Sequence, residues 1–530
     1  MDAFDAPLAT VDLLIIAAYF AAVVALGLRA SGRTQGAQDY FLASRSMRWP
    51  AIGAALLSAN VSSTTLIGLA GGAYAFGIAI YNYEWMATVV LAFFCVFFLP
   101  FLLRARVYTL PEFLERRYDR RARLYFSGLT LFLNVAVDTA GTLYGGALML
   151  SLVVPDVPLT AIVAALAAMA GLYTVLGGLR AVILTEVLQA VVLMGAAVLV
   201  AVYAFDAAGG WSTVMAAAPP EKLSLIRPAD DPDLPWTGLV FGVPLLGFYF
   251  WCTNQYMVQR VLSAKDENHG RWGALFAGLL KLPLLYLMVL PGTCALLLYP
   301  SLSKPDLVYP TLVFDLLPAG VVGLVLAGFF AAIMSSISST FNSAATLVTM
   351  DVVRTARPGL DEATLVRIGR SVTVAVMVLA VLWAPQIARF DSLWQYLQGV
   401  LAYAVPPVCA LYLVGLFWRR ANTRGAMCCM ATGLIGGAAL FVANVAVEPG
   451  LGLHFLLVAP LLFVACALAH AIGSCTAPRD PRPELDALHW TPAFFRAETV
   501  ALRRLPWWQN YRVHAVALLA LTAAIVWTFR

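Results

Sequence analysis

From Ala319 to Met350 no residue carries a charge, and thirteen more long apolar runs are spaced along the chain. Each is close to the ~20 residues that a helix needs to cross a hydrocarbon core. The fourteen runs lie roughly at 10–28, 50–76, 79–103, 124–152, 157–176, 181–204, 237–258, 272–299, 318–350, 371–389, 393–417, 425–446, 452–473 and 511–529. A β-barrel would show short alternating segments of about 10 residues, and these runs are long and continuous. The chain is 61% hydrophobic and 12% charged, whereas soluble domains average roughly 25% charged. The sequence predicts an all-α integral membrane protein with no appended soluble domain.

Lysine and arginine predict the orientation. With both termini outside, 28 of the 34 fall in inward loops, among them seven between Arg104 and Arg123 and six between Arg479 and Arg512. Five face outward, and Lys281 lies within the eighth run. The net charge of +5 therefore follows from loop chemistry and calls for no nucleic-acid partner. The start, "MDAFDAPLATVD", is acidic and lacks the basic opening of a signal peptide, so the first run is expected to be a retained helix. The stretch "FFRAETVALRRLPWW" suits an amphipathic segment at the interface. The eight cysteines are scattered and show neither metal-ligand spacing nor a disulfide framework.

Two runs look broken. The second contains "LLSANVSSTTLIGLAGG", polar at its centre, and the seventh contains Gly242, Pro244 and Gly247 within "FGVPLLGFYFWCTNQY". Irregular backbone at membrane depth is tolerated where it lines a cavity, and paired broken helices point to a transporter's binding site. Ionisable residues at that depth are costly and usually functional. Here they are Glu84, Asp138, Glu186 and Lys281. In "AAIMSSISSTFNSAATL" (331–347), Ala332, Ser335, Ser336, Ser339, Ser343 and Thr346 share one helical face. Such a stripe can serve close helix packing. Alternatively, two adjacent hydroxyls and a nearby carbonyl form part of an oxygen shell for sodium, completed by carbonyls of the break at "SANV".

Five ordered motifs carry a resemblance: "SANVSSTTLIGLAGGAYAFGIAIYNYEWMA" (58–87), "GGLRAVILTEVLQ" (177–189), "YFWCTNQYMVQRVLSAK" (249–265), "AAIMSSISSTFNSAATLVTMD" (331–351) and "YLQGVLAYAVPPVCALYLVGLFW" (396–418). With them the chain resembles the sodium/solute symporter family, in its sodium/glucose cotransporter-like branch, and its end resembles the bacterial sodium/galactose-type members. The resemblance implies a LeuT-like fold: a leading helix (10–28), inverted five-helix repeats at 50–204 and 237–417, and three trailing helices (425–529). It implies one sodium site, built from the carbonyls of Ser58, Val61 and Ala332 and the hydroxyls of Ser335 and Ser336. The family's sugar ligands map onto Asn60, Glu84, Lys281 and Gln398, with Trp251 as an aromatic of the pocket and Thr65 where relatives place a larger Gln or His. Leu69, Tyr83 and Trp394 match the outer gate, and Phe250 replaces the inner-gate tyrosine. Ala87 replaces a serine of some bacterial relatives, Gly247 stands where Asn or Thr would bond substrate, and Glu186 stands for an aspartate.

The expected function is sodium-coupled symport of a neutral glucose- or galactose-like hexose by alternating access, with sodium as the co-transported ion. Myo-inositol, another polyol or small solute, or a sensor on the same fold is the alternative. Glu84 disfavours an anionic substrate by repulsion. No HExxH, paired metal-ligand motif or serine–histidine arrangement falls in the membrane runs, so no enzyme is expected. The expected location is the cell membrane, that of a bacterial inner membrane. The sequence leaves oligomeric state, sodium stoichiometry and the choice between sodium and protons open.

Overall fold

The computed structural model describes residues 8–31, 36–389, 393–446 and 451–530, and among them the regular elements are helices. Eleven are long and apolar enough to cross a membrane alone, and two bent pairs bring the spans to thirteen. A shorter apolar helix, Leu159–Leu172, matches the remaining run. In chain order the first are α1 (Thr10–Ala30), the bent pair α2 (Trp49–Asn60) and α3 (Ser63–Phe76), α4 (Ile78–Ala105), α5 (Arg120–Ser151) and α6 (Leu159–Leu172). Then come α7 (Gly178–Ala207), α8 (Trp236–Thr253), the short α9 (Gln255–Leu262), α10 (Glu267–Leu298), α11 (Val321–Ala356) and α12 (Glu362–Ile387). The second bent pair is α13 (Tyr396–Ala404) and α14 (Pro406–Phe417), followed by α15 (Thr423–Asn444), α16 (Phe455–Cys475) and α17 (Tyr511–Thr528).

The serine-rich α11 is the axis of the molecule. The protein buries 89% of its most apolar window, against 22% for α1 and for α17, whose apolar faces are left to lipid. Small residues let α11 and α7 touch: a Cβ at Gly328 would come 2.4 Å from the Cβ of Ala196. Close approach of this kind supplies the dispersion that associates helices in a solvent of lipid tails. A sharp turn at Gly178, with φ of 60°, separates α6 from α7. A Cβ there would meet the Tyr40 carbonyl at 2.7 Å, so glycine is required by conformation and by space.

The break expected at "SANV" is present. α2 and α3 meet at 64°, with Val61 and Ser62 both extended. The backbone N–H of Ser62 finds the Thr65 hydroxyl at 3.3 Å, so the new helix is capped from its own third position. α13 and α14 bend by 44° just before Pro406 and Pro407. The glycine and proline of α8 mark a first interruption, at Gly242, and a second follows at its end. The helix stops at Phe241 and restarts at Val243, so Pro244 falls in a new first turn that needs no donor, while Gly242 itself still bonds Gly238 at 2.8 Å. The chain leaves helical geometry at Asn254, whose side chain caps Tyr256 at 3.1 Å.

Loops rich in arginine meet one another at one end of the bundle. Arg104 pairs with Glu267, Arg271 and Arg512 share Glu498, and Arg419 reaches Asp486. Glu498 belongs to the helix Pro492–Arg503, which also packs Phe494 on Phe101 with ring centroids 5.0 Å apart. Arg271 and three further arginines counted as loop charge are instead buried structural donors. Arg117 binds the carbonyls of Gly415 (2.8 Å), Ala421 (2.9 Å) and Trp418 (3.1 Å), closing the free end of α14. Arg260 pairs with Glu186, and Arg123 with Asp351.

Asp351, at the end of α11, accepts from Arg123 Nε (3.0 Å), Ser127 (2.7 Å) and Thr109 (2.6 Å). Removing one member of a buried charge pair typically costs roughly 3–5 kcal/mol. Asp351→Ala is therefore expected to lower the thermal midpoint in detergent markedly. Asp351→Asn, which keeps one of the two acceptor oxygens, should lie between it and the wild type. Unchanged melting of Asp351→Ala would show that this network does not hold α5 to α11.

Candidate functional site

The break between α2 and α3 opens onto a cavity midway through the bundle. Its wall takes Asn60, Thr64 and Thr65 from the break, Tyr83 and Glu84 from α4, and Asp138 and Thr142 from α5. α8 contributes Gly247, Phe250 and Trp251; further wall residues are Tyr256 of α9, Lys281 of α10, Ser336 and Thr340 of α11, and Gln398 of α13. Every residue the sequence marked for the sugar pocket (Asn60, Thr65, Glu84, Trp251, Lys281 and Gln398) is thus gathered at one place.

Lys281 and Glu84 form a buried ion pair across α10 and α4, and the Lys281 ammonium lies 5.6 Å from the Trp251 ring centroid. The neighbouring Tyr81 hydroxyl donates to the Leu282 carbonyl at 2.9 Å, fixing α4 against α10. Asn60 Oδ1 and Gln398 Oε1 are buried and accept no hydrogen bond from the protein. Buried acceptors are nearly always satisfied, so these two face the cavity as sites for an incoming donor. Phe250 and Trp251 stand nearly edge to face, 5.3 Å between centroids, and give the wall an apolar surface. Acceptors, an ammonium and aromatic rings together suit a solute with hydroxyls on its rim and an apolar face.

Thr65 does double duty. Its hydroxyl, besides capping α3, lies 3.2 Å from the Asn60 carbonyl, so it holds the break in shape while lining the cavity. Phe250 and Tyr83 lie in the wall as the gate assignment requires. Leu69 is fully buried on α3 and does not reach the cavity. The side chain of Trp394 lies outside the described residues.

Beside the cavity, α11 faces the end of α2. The Ser335 hydroxyl lies 2.7 Å from the Ser58 carbonyl and 3.0 Å from that of Ala332. Ser336, whose side chain also lines the cavity, donates to the Ala59 carbonyl at 3.1 Å. Val61 is extended, so its carbonyl is released from the helical ladder next to them. These neutral oxygens converge from two helices, the donor set that a small monovalent cation takes as a transported substrate. Ala59, adjacent to the residues that the sequence marked, is an added oxygen.

Three other hydroxyls of the same face are hydrogen-bonded across helices. Ser339 donates to Glu186 at 2.7 Å within the Glu186–Arg260 pair, Ser343 accepts from Asn134 at 3.0 Å, and Thr346 accepts from Gln259 at 2.8 Å. Ser338 bonds back to the Ser335 carbonyl at 3.1 Å, the local satisfaction typical of a helical serine. Sequence reasoning also left out Thr340 and Tyr256. Thr340 follows Ser336 by one helical turn, a spacing that places it on the cavity face. Tyr256 carried no such signal, because it follows the second break, at Asn254, which no glycine or proline marks.

A family model described as the sodium:solute symporter family matches residues 40–433. Among curated relatives, a sodium/mannose cotransporter of Bos taurus is 35% identical over 91% of this chain and 89% of its own length. Sodium/glucose cotransporter 4 of Danio rerio is 34% identical, covering 94% of this chain and 83% of its own. Sodium/glucose cotransporter 1 of Oryctolagus cuniculus is 33% identical, with 93% and 82% covered. Among solved structures, that of a sodium-coupled sialic acid symporter in an outward-open state superposes with a TM-score of 0.78 at 21% identity. It spans 89% of this chain and 99% of its own, so the two share a fold.

Proposed function

The chain belongs to the sodium:solute symporter family, a family of multi-pass membrane transporters and not of enzymes, and from that premise we propose that it carries a hexose-sized sugar into the cell with sodium. The observation that carries the sugar reading is the pair of unsatisfied acceptors, Asn60 Oδ1 and Gln398 Oε1, set around the Glu84–Lys281 pair and the Trp251 ring. Sugar hydroxyls donate to the two amides and to Glu84, Lys281 donates to a sugar oxygen, and Trp251 covers the ring face.

Sodium binds where Ser335 and Ser336 meet the carbonyls of Ser58, Val61 and Ala332, with that of Ala59 close by. Because these atoms belong to α2 and α11, the ion ties the broken helix to the axis and holds Asn60 in place for the sugar. Parting of the two helices on inward opening releases ion and sugar together. Coupling is reciprocal: sodium raises sugar affinity by the factor that sugar raises sodium affinity. One sodium moving down 100 mV contributes ~2.3 kcal/mol, about fifty-fold accumulation. Tyr83 and Trp394 close the outer side, with Leu69 packed behind them, and Phe250 closes the inner.

The reading includes two inverted five-helix repeats, 50–204 and 237–417, flanked by a leading helix and three trailing ones. The bends at Val61 and Asn254, early in each repeat, support that division. It includes a bacterial inner membrane with both termini outside, supported by the meeting of the arginine-rich loops at one end. The test is uptake into proteoliposomes, with and without a sodium gradient, of labelled hexoses, myo-inositol and other polyols, and amino acids. Sodium-driven accumulation of a hexose is expected. Accumulation of a polyol alone, or binding without uphill uptake, would replace the hexose reading by the polyol or the sensor.

A further inference from the structure

The charges around the cavity do not balance. Glu84 is matched by Lys281, but a second carboxylate, Asp138, lines the same wall. Its recorded partner is the neutral Tyr256 hydroxyl, 3.4 Å from Oδ1. Among the described residues no cation pairs with it. The buried cations on adjoining helices are engaged elsewhere: Lys281 with Glu84, and Arg260 with Glu186 and Ser339.

The carboxylate is also held firmly. Asp138 belongs to the π turn Asn134–Thr139 of α5, a widening that re-aims side chains and recurs at functional sites. That turn is fixed on both sides. Asn134 donates to Ser343 at 3.0 Å, the hydroxyls of Thr139 and Thr340 lie 2.8 Å apart, and Tyr396 donates to the Ala136 carbonyl at 2.7 Å. The backbone that carries Asp138 therefore cannot shift without unpacking α5 from α11 and α13.

A carboxylate that faces the cavity and is met by one long neutral hydrogen bond calls for positive charge. A plain hexose offers hydroxyls alone and leaves that demand unmet. We propose that the cavity is built for an amino sugar, a hexose bearing a protonated amine that pairs with Asp138. This rests on the sugar reading above and replaces its strictly neutral solute by a cationic one. Glu84 and Lys281 then address the hydroxyls, while Asp138 reads the ammonium from the α5 side.

The test is competition against sodium-driven uptake of a labelled hexose in proteoliposomes. The competitors are the parent hexose, aminodeoxyhexoses with the amine at each carbon in turn, and their N-acetyl derivatives, which keep the substituent and lose the charge. At least one amine is expected to compete at about tenfold lower concentration than the parent, with its acetylated form losing the advantage. Asp138→Asn, which keeps the size and an acceptor for Tyr256, is expected to bring the amine-to-hexose ratio close to one. Equal or poorer competition by every amine overturns the inference while the sugar reading stands, and needs no variant. A preference that survives Asp138→Asn overturns the assignment to Asp138. Absence of sodium-driven uptake for every sugar overturns both readings together.

Discussion

Lys281→Ala is expected to lower sodium-driven sugar uptake by about 100-fold or more, because it leaves Glu84 buried without its partner. Breaking such a pair costs roughly 3–5 kcal/mol, and each ~1.4 kcal/mol is tenfold in an equilibrium. A loss of this size has two sources, a weakened fold and a ruined cavity, and a paired substitution separates them. Glu84→Gln with Lys281→Met removes both charges and keeps the volume, so it should recover much of the thermal stability lost by Lys281→Ala. Replacing buried ion pairs by neutral groups is often neutral or stabilising. Uptake should stay low in the double variant, since the ammonium 5.6 Å from the Trp251 centroid and the carboxylate beside it are gone. Initial rates per monodisperse transporter, measured beside melting curves, decide the matter. A double variant that transports like the wild type would make the pair a structural brace.

The membrane spans were legible in the sequence because lipid leaves few alternatives. A run of twenty apolar residues must form a helix to satisfy its backbone, and each of the fourteen runs has its helix. The break at "SANV" was legible because serines, threonines and asparagine compete with the helical ladder locally. The break at Asn254 was not. Gly242 and Pro244 carry the local signal of the interruption at Gly242, whereas Asn254 has no glycine or proline beside it and departs from the helix because its side chain caps the next one. Arginines near helix ends read as loop charge by composition. Only tertiary packing reveals that Arg117, Arg123 and Arg260 turn inward to carbonyls and carboxylates. The hydroxyl face of α11 was recognised by periodicity, but periodicity is silent on partners. That Ser339 meets Glu186 while Ser335 meets the end of α2 depends on how α7 and α2 are laid against α11.

Ser335 and Ser336 give the other large effect. Ser335→Ala with Ser336→Ala is expected to raise the sodium concentration for half-maximal uptake by more than about tenfold and to remove most gradient-driven accumulation. The substitutions suit a helix, since alanine has the best propensity, and they delete the two hydroxyls that bridge α11 to the carbonyls of Ser58 and Ala59. Folding should therefore change less than sodium response, and the split between the two is the diagnostic. Because linkage is reciprocal, sugar affinity at saturating sodium should fall in the double variant, while binding without sodium stays near the wild-type level. Ser335→Thr keeps the oxygen and should keep much of the sodium dependence, provided its methyl fits beside Ala332. Ser339→Ala supplies the control on the same face: its hydroxyl belongs to the Glu186–Arg260 pair, so its loss should reach stability before it reaches the half-maximal sodium concentration. A double variant with unchanged sodium dependence would remove Ser335 and Ser336 from the ion's path, and the contact between α11 and the broken helix would then be packing alone.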